Sequence, residues 1–141
     1  GDPLIDPRSG YIYLASPYSH ADAAVRVERY RAAVAFAAWA AERGFVVYSP
    51  IVHWHEPALL AQLPTDAAFW WRINRTMLAH AAALWVLQID GWEVSRGLRQ
   101  EVDAAQDDCL PIGAFRPSAV LGFIGAPWGA LRVPTQPETA P

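Results

Sequence analysis

A chain of 141 residues with one cysteine, Cys109, cannot cross-link itself. A disulfide framework is thereby excluded, and the N-terminus lacks a basic stretch followed by an apolar run and a cleavage site, so a cytoplasmic location is the simplest expectation. Long apolar runs are missing too. Although 53% of the residues are hydrophobic, polar residues and prolines break every run well short of the roughly 18 needed to cross a bilayer, and no membrane contact is expected. Nor is there a block of positive charge. The net charge is −3 and the 11 basic residues are scattered among 14 acidic ones, which disfavours polymeric nucleic acid while leaving room for one small anion held by local donors.

What is present is enough for one domain. A chain of this length buries about two-thirds of the surface that its unfolded form exposes, so no metal or disulfide is needed to hold it together. Tryptophan is abundant: of seven, Trp54, Trp70, Trp71, Trp85 and Trp92 fall in the middle of the chain. Indoles bury large apolar area, so most belong to the core or a subunit contact, and one or two can face a flat ligand.

The order of elements follows from periodicity and punctuation. Residues 11–15 form a short apolar, β-branched and aromatic run ending at Ser16-Pro17, which reads as a buried strand. Ser19-His20-Ala21-Asp22 has the form of a helix start, and an Ala-rich stretch free of Gly and Pro runs on to Arg43 and Gly44. Within it Arg26, Glu28, Arg29 and Arg31 read as a solvated stripe. Residues 45–49 predict a second strand, and 51–65, interrupted by Pro57 and Pro64, a long loop. A helix capped by Thr65 or Asp66 and running to about His80, a strand over 83–88, and a helix capped by Ser95 and running to about Asp107 come next. Residues 110–115 predict a fourth strand.

Alternation of this kind implies βαβ units. The expected fold is therefore a single-domain α/β, Rossmann- or flavodoxin-like three-layer sandwich, with a mainly parallel sheet of four or five strands spanning residues 11–115. From 116 to 141 a Pro-containing, irregular segment with at most a short strand near 119–124 is expected to complete the domain or a subunit interface. In such sheets the ligand crevice lies beyond the carboxyl ends of the strands, where residues 15–20, 49–56, 88–97 and those after 113 should meet.

Chemistry concentrates in Asp90-Gly91-Trp92-Glu93-Val94-Ser95-Arg96-Gly97-Leu98-Arg99-Gln100-Glu101. This segment sets a Gly-containing loop after a strand, a helix N-terminus at Ser95 whose free N–H groups favour an anion, and a carboxylate about one and a half turns further on. Gly97 lets another group approach closely. Taken alone, the segment also fits a Ser95 that merely caps, a solvated Glu101 and an Asp90 that closes the Asp-Gly turn.

In its landmarks the chain resembles the nucleoside 2-deoxyribosyltransferase-like superfamily, including the deoxynucleoside 5′-monophosphate N-glycosidases and an uncharacterised domain family, DUF1937. The landmarks are Tyr13-Leu14-Ala15-Ser16-Pro17-Tyr18, then Gly44 through Ser49-Pro50, then Gly91-Trp92 with Ser95, Gly97 and Glu101. By position the resemblance implies that Glu101 is the catalytic glutamate that attacks C1′ of the sugar, and that Tyr13 is the tyrosine that orients it. On the segments expected to meet at the crevice, Ser16, Pro17, Tyr18, Gly91 and Trp92 are candidate substrate contacts, and Asp90 is a candidate for a sugar hydroxyl if it does more than close the turn. Transferases of the superfamily carry an Asp where Ser95 stands, whereas the monophosphate hydrolases carry a Ser that helps bind phosphate. Ser95, with Ser16 and Gly97, therefore favours a 5′-monophosphate substrate, because a carboxylate at that place would repel the dianion.

One position departs from that pattern. Where the superfamily has an acidic residue on the helix before the third strand, this chain has Asn74, which can bind a hydroxyl but cannot deliver a proton at neutral pH. His53 and His55 are the alternatives for protonating the departing base. Their spacing also fits a metal pair completed by Glu56 or Asp66, a reading weakened by the want of a further clustered His or Cys. Neither a metal nor another cofactor is expected.

The resemblance implies a homodimer or homotetramer whose subunits share sites. The leading expectation is an N-glycosidase that cleaves the base–sugar bond of a (deoxy)nucleoside 5′-monophosphate through a covalent glycosyl-Glu101 intermediate. A base-exchanging transferase, a silent nucleotide-binding module and a metal-dependent hydrolase are its rivals.

Overall fold

In a computed structural model that describes residues 10–129, nine elements follow β1 (Ile12–Ala15), α1 (Ala23–Glu42), β2 (Val47–Tyr48), α2 (Pro50–Leu60), α3 (Ala67–Ala79), β3 (Ala83–Leu87), α4 (Arg96–Asp107), β4 (Ile112–Ser118) and β5 (Gly122–Pro127). The sheet order is β2-β1-β3-β4-β5. The first four strands are parallel, and β5 runs antiparallel to β4. Side-chain alternation then divides the core into two layers. Ile12, Leu14, Trp85 and Leu87 face α1, whose Ala33, Phe36 and Ala40 lie on one helical stripe. Tyr13, Ala15, Leu84 and Val86 face the other way, toward Leu78 of α3 and Leu98, Val102 and Ala105 of α4. Helices thus cover both faces, giving the expected α/β three-layer sandwich with a mostly parallel sheet.

The helix starts are set by side chains. Asp22, Ser49, Asp66 and Ser95 each accept a hydrogen bond from a backbone N–H of the first turn. For α1 the cap is Asp22 and not Ser19, so the helix begins later than the Ser-x-x-Asp pattern suggests. No helix among the described residues is long and apolar enough to cross a membrane.

Three expectations change. Residues 51–65 are not a long loop, because α2 occupies most of them. Ser49 caps α2, and Pro50 stands at its start, where a missing N–H costs nothing. Pro57 removes one helical bond, but Ile51 and Val52 pack on the core, and that burial outweighs the loss. The second strand shrinks from the expected 45–49 to Val47–Tyr48, with Phe45 instead packing its ring 5.0 Å from that of Trp85. Finally, residues 116–127 are not irregular. β4 continues to Ser118, past the last residue that pairs with β3, so Pro117 deprives β3 of no ladder bond. The chain returns as β5, in which Gly125 lies against the Phe115 ring: a Cβ there would stand 2.1 Å from Cε2. Residues 130–141 of the expected C-terminal segment lie outside the described residues.

The strand order reverses its direction of growth between β1 and β3, with α1 on one face and α3 and α4 on the other. In doubly wound sheets, the carboxyl ends of the strands at that point open a crevice.

Candidate active site

Tyr13 sits inside β1, and the alternation that sends Ile12 and Leu14 to α1 sends its ring toward α4. Along α4 the buried positions are Leu98, Glu101, Val102 and Ala105, an ordinary core-facing stripe except that one member is a carboxylic acid. The Tyr13 hydroxyl donates to Glu101 Oε2 at 2.5 Å, with the tyrosine fully buried and the glutamate 7% exposed. Burial pushes the Glu101 carboxyl up to about 8, against which the Tyr13 hydrogen bond pulls downward. The Tyr13 phenol is raised as well, first by burial and then by the Glu101 charge, so it keeps its proton and stays the donor. A carboxyl held at such cost in a core is a frequent mark of function.

Aromatic rings extend from this pair. Tyr48, opposite Tyr13 in the parallel ladder, has its ring 5.8 Å away, and its hydroxyl accepts from Trp54 Nε1 at 3.2 Å. Trp54 lies 5.7 Å from Trp70, which donates to the Pro64 carbonyl. One helical turn beyond Trp70 is Asn74, half-buried, with a buried Oδ1 that has no partner. Tyr13, Tyr48, Trp54 and Trp70 thus form a connected wall drawn from β1, β2, α2 and α3, with Asn74 one turn further along α3.

The other expected residues divide. Ser16, 6% exposed, has an unpartnered Oγ, and Pro17 is fully buried. The Tyr18 hydroxyl is 2.7 Å from His55 Nδ1, and the His55 ring stacks on Tyr30 at 4.0 Å. His53 is exposed, with its ring 5.8 Å from Tyr48. Because α2 is helical, residues two apart point roughly 200° from one another, so His53 and His55 are not a chelating pair. No group of three potential metal-ligating side chains occurs among the described residues.

Asp90 is exposed, and Gly91 turns the chain at φ 94° into a short 3-10 turn, Trp92–Val94. Trp92 packs edge-on against Trp128 at 6.0 Å. Ser95 caps α4 by accepting from the Leu98 N–H at 3.2 Å, which leaves its hydroxyl hydrogen free to donate. At Gly97, beyond its own helix backbone and chain neighbours, an added Cβ would meet no atom of the described residues within 4 Å. An open groove beside Ser95, lined by Glu93, Arg96, Arg99 and Asp103, does not include Tyr13 or Glu101 and is set apart from the buried pair.

Four residues escape the sequence reading. Gln88, immediately after β3, has a buried Nε2 without a partner, and its place at a strand's carboxyl end was the available signal. Tyr48 was visible only as a strand residue. Arg26 and Arg29 are not a solvated stripe: both are half-buried and donate to backbone carbonyls of residues 19–21.

No curated protein matches the chain. A family model described as a domain of unknown function, DUF1937, matches residues 10–115, from two residues before β1 into β4. With most of its length covered by that match, the chain belongs to the DUF1937 family.

Proposed function

We propose that this protein is an N-glycosidase that breaks the base–sugar bond of a ribo- or deoxyribonucleoside 5′-monophosphate, with Glu101 as nucleophile. The observation that carries the reading is the buried Glu101 carboxyl, held by the buried Tyr13 phenol in a doubly wound sheet. A carboxylate fixed in a poorly solvated place stabilises positive charge developing at C1′ far better than one surrounded by water. In the first step a Glu101 oxygen bonds to C1′ while the C1′–N bond breaks, and the base leaves with the electron pair and gains a proton. Water then attacks C1′ of the glycosyl ester, releasing sugar phosphate and the carboxylate. Two lower barriers replace one high barrier.

Asn74 cannot supply the proton for the base. His53, whose ring lies beside Tyr48 on the side of the aromatic wall, is better placed to do so than His55, which is engaged by Tyr18 and Tyr30. The wall from Tyr48 to Trp70 offers flat apolar surface to a nucleobase. Ser95, standing where the transferases that the chain resembles carry Asp, favours a phosphorylated substrate. A homodimer or homotetramer with shared sites accompanies this reading. Val94, 84% exposed next to Ser95, supplies apolar surface for such a contact, and light scattering tests the assembly.

The test is base release from a panel of nucleosides and 5′-monophosphates by the wild type and by Glu101→Ala, with a second free base present. Sugar phosphate as product supports hydrolysis, and a new nucleotide means base transfer. Absence of base release from every panel member at high enzyme concentration overturns the reading.

A further inference from the structure

Arg29 leaves α1 near its N-terminal end and crosses to the loop after β3. Its Nη1 donates to the Ser19 carbonyl at 2.9 Å. Its guanidinium lies against Gly91, where an added Cβ would stand 2.2 Å from Nη2 and 3.1 Å from Cζ. Gly91 also has φ +94°, a backbone conformation that favours glycine, and the missing Cβ leaves the guanidinium room to lie against the loop. Arg29 therefore joins the loop following β1 to the loop following β3, the two strands that flank the reversal in sheet order.

A guanidinium carries about five N–H donors in a planar fork, and the Ser19 carbonyl occupies one of them. The ion pairs among the described residues join Arg43 to Glu42 and Arg99 to Asp103, and neither involves Arg29. Arg26 stands on the same helix end and donates to the His20 and Ala21 carbonyls. Of the nearby carboxylates, Asp22 is engaged as the α1 cap and Asp90 is exposed. Ser16, three residues before Ser19, holds its buried and unpartnered hydroxyl in the same loop. Two guanidinium groups and an unused buried hydroxyl suit an oxyanion with several acceptors. A phosphate monoester fits a guanidinium fork better than a lone carbonyl does.

We propose that Arg29 anchors the 5′-phosphate of the substrate and sets the preference for a nucleoside 5′-monophosphate over the nucleoside. This rests on the glycosidase reading and adds a charged partner to the neutral donors Ser16 and Ser95. The experiment measures kcat/KM for a deoxynucleoside and its 5′-monophosphate with wild type, Arg29→Gln and Arg29→Lys. In Arg29→Gln the ratio of monophosphate to nucleoside efficiency falls at least about thirtyfold, through KM, as expected when a hydrogen bond to a charged group is lost. Arg29→Lys, which keeps the charge, recovers part of the ratio. An unchanged ratio, or equal loss on both substrates, overturns the proposal, the latter because it makes Arg29 a brace between loops. If the wild type releases no base from either compound, the glycosidase reading fails, and calorimetric titration with the same two compounds decides the anchor separately. Tighter binding of the monophosphate that disappears in Arg29→Gln upholds it, and equal affinities overturn it.

Discussion

Tyr13 and Glu101, 88 positions apart in sequence, meet through a buried hydrogen bond that ties β1 to α4. The chain places a proton donor that does not ionise beside a carboxyl that ionises only with difficulty. Reaction and stability should both feel that pair.

Replacement of Glu101 by Ala removes the nucleophile. Base release should fall at least roughly a hundredfold, as when a covalent catalyst is deleted. Loss of less than about threefold, measured on the best substrate of the panel, would make Glu101 a structural acid.

The pH profile follows from the raised Glu101 carboxyl. Attack needs the carboxylate, so kcat/KM should climb with pH and level off above about 8 in the free enzyme. A flat profile between pH 5 and 9, measured with a substrate whose own groups do not titrate there, contradicts the assignment.

Tyr13→Phe removes the hydrogen bond that holds the Glu101 value down, so the alkaline rise should move to higher pH and the neutral rate should fall roughly tenfold. A lower rate without any displacement of the profile would assign Tyr13 to packing alone.

Stability carries the opposite sign. The unfolded chain releases the Glu101 proton near the ordinary carboxylate value of 4.5, whereas the folded chain keeps it until about 8, so the fold binds more protons through that interval. Its contribution to stability is therefore greatest below the lower value and declines as pH rises, by up to about 1.4 kcal/mol per unit. Glu101→Gln should be more stable than wild type at pH 8 and should lose that advantage near pH 5. Urea titrations at the two values measure the crossover.

Phe36 lies within 5.1 Å of Phe115, 4.9 Å of Phe123 and 6.0 Å of Trp85, ring to ring, at the centre of the α1 layer. Phe36→Ala should cost about 3–5 kcal/mol by leaving a cavity that these rings cannot close. Denaturant unfolding at unchanged slope tests the size of the loss.

The legible parts of the sequence were those where one periodicity and one cap agree. β3 reads as an unbroken apolar run because both of its faces are covered, and α4 announces itself by Ser95 and by the Leu98, Val102 and Ala105 stripe. Glu101 was legible by resemblance, while its burial was not, since an acid on that stripe looks like a register error until Tyr13 is seen beneath it. α2 was hidden because Pro57 and Pro64 read locally as breakers, and only the packing of Ile51 and Val52 on the core decides otherwise. Its helical form changes the meaning of His53 and His55, which a loop or strand would leave free to act together. Arg29 was misread because a helix pattern records the origin of a long side chain and not its destination.

The short β2 and the returning β5 bear on a different matter, self-association through exposed strand borders. Among the described residues, the sheet terminates on one side in only Val47 and Tyr48, and on the other in a strand that contains Gly122 and Gly125 and ends at Pro127. A foreign strand docking there would find either too few amides to align with or a partner with weak extended preference, which discourages fibril-like growth in a chain so rich in aromatic residues.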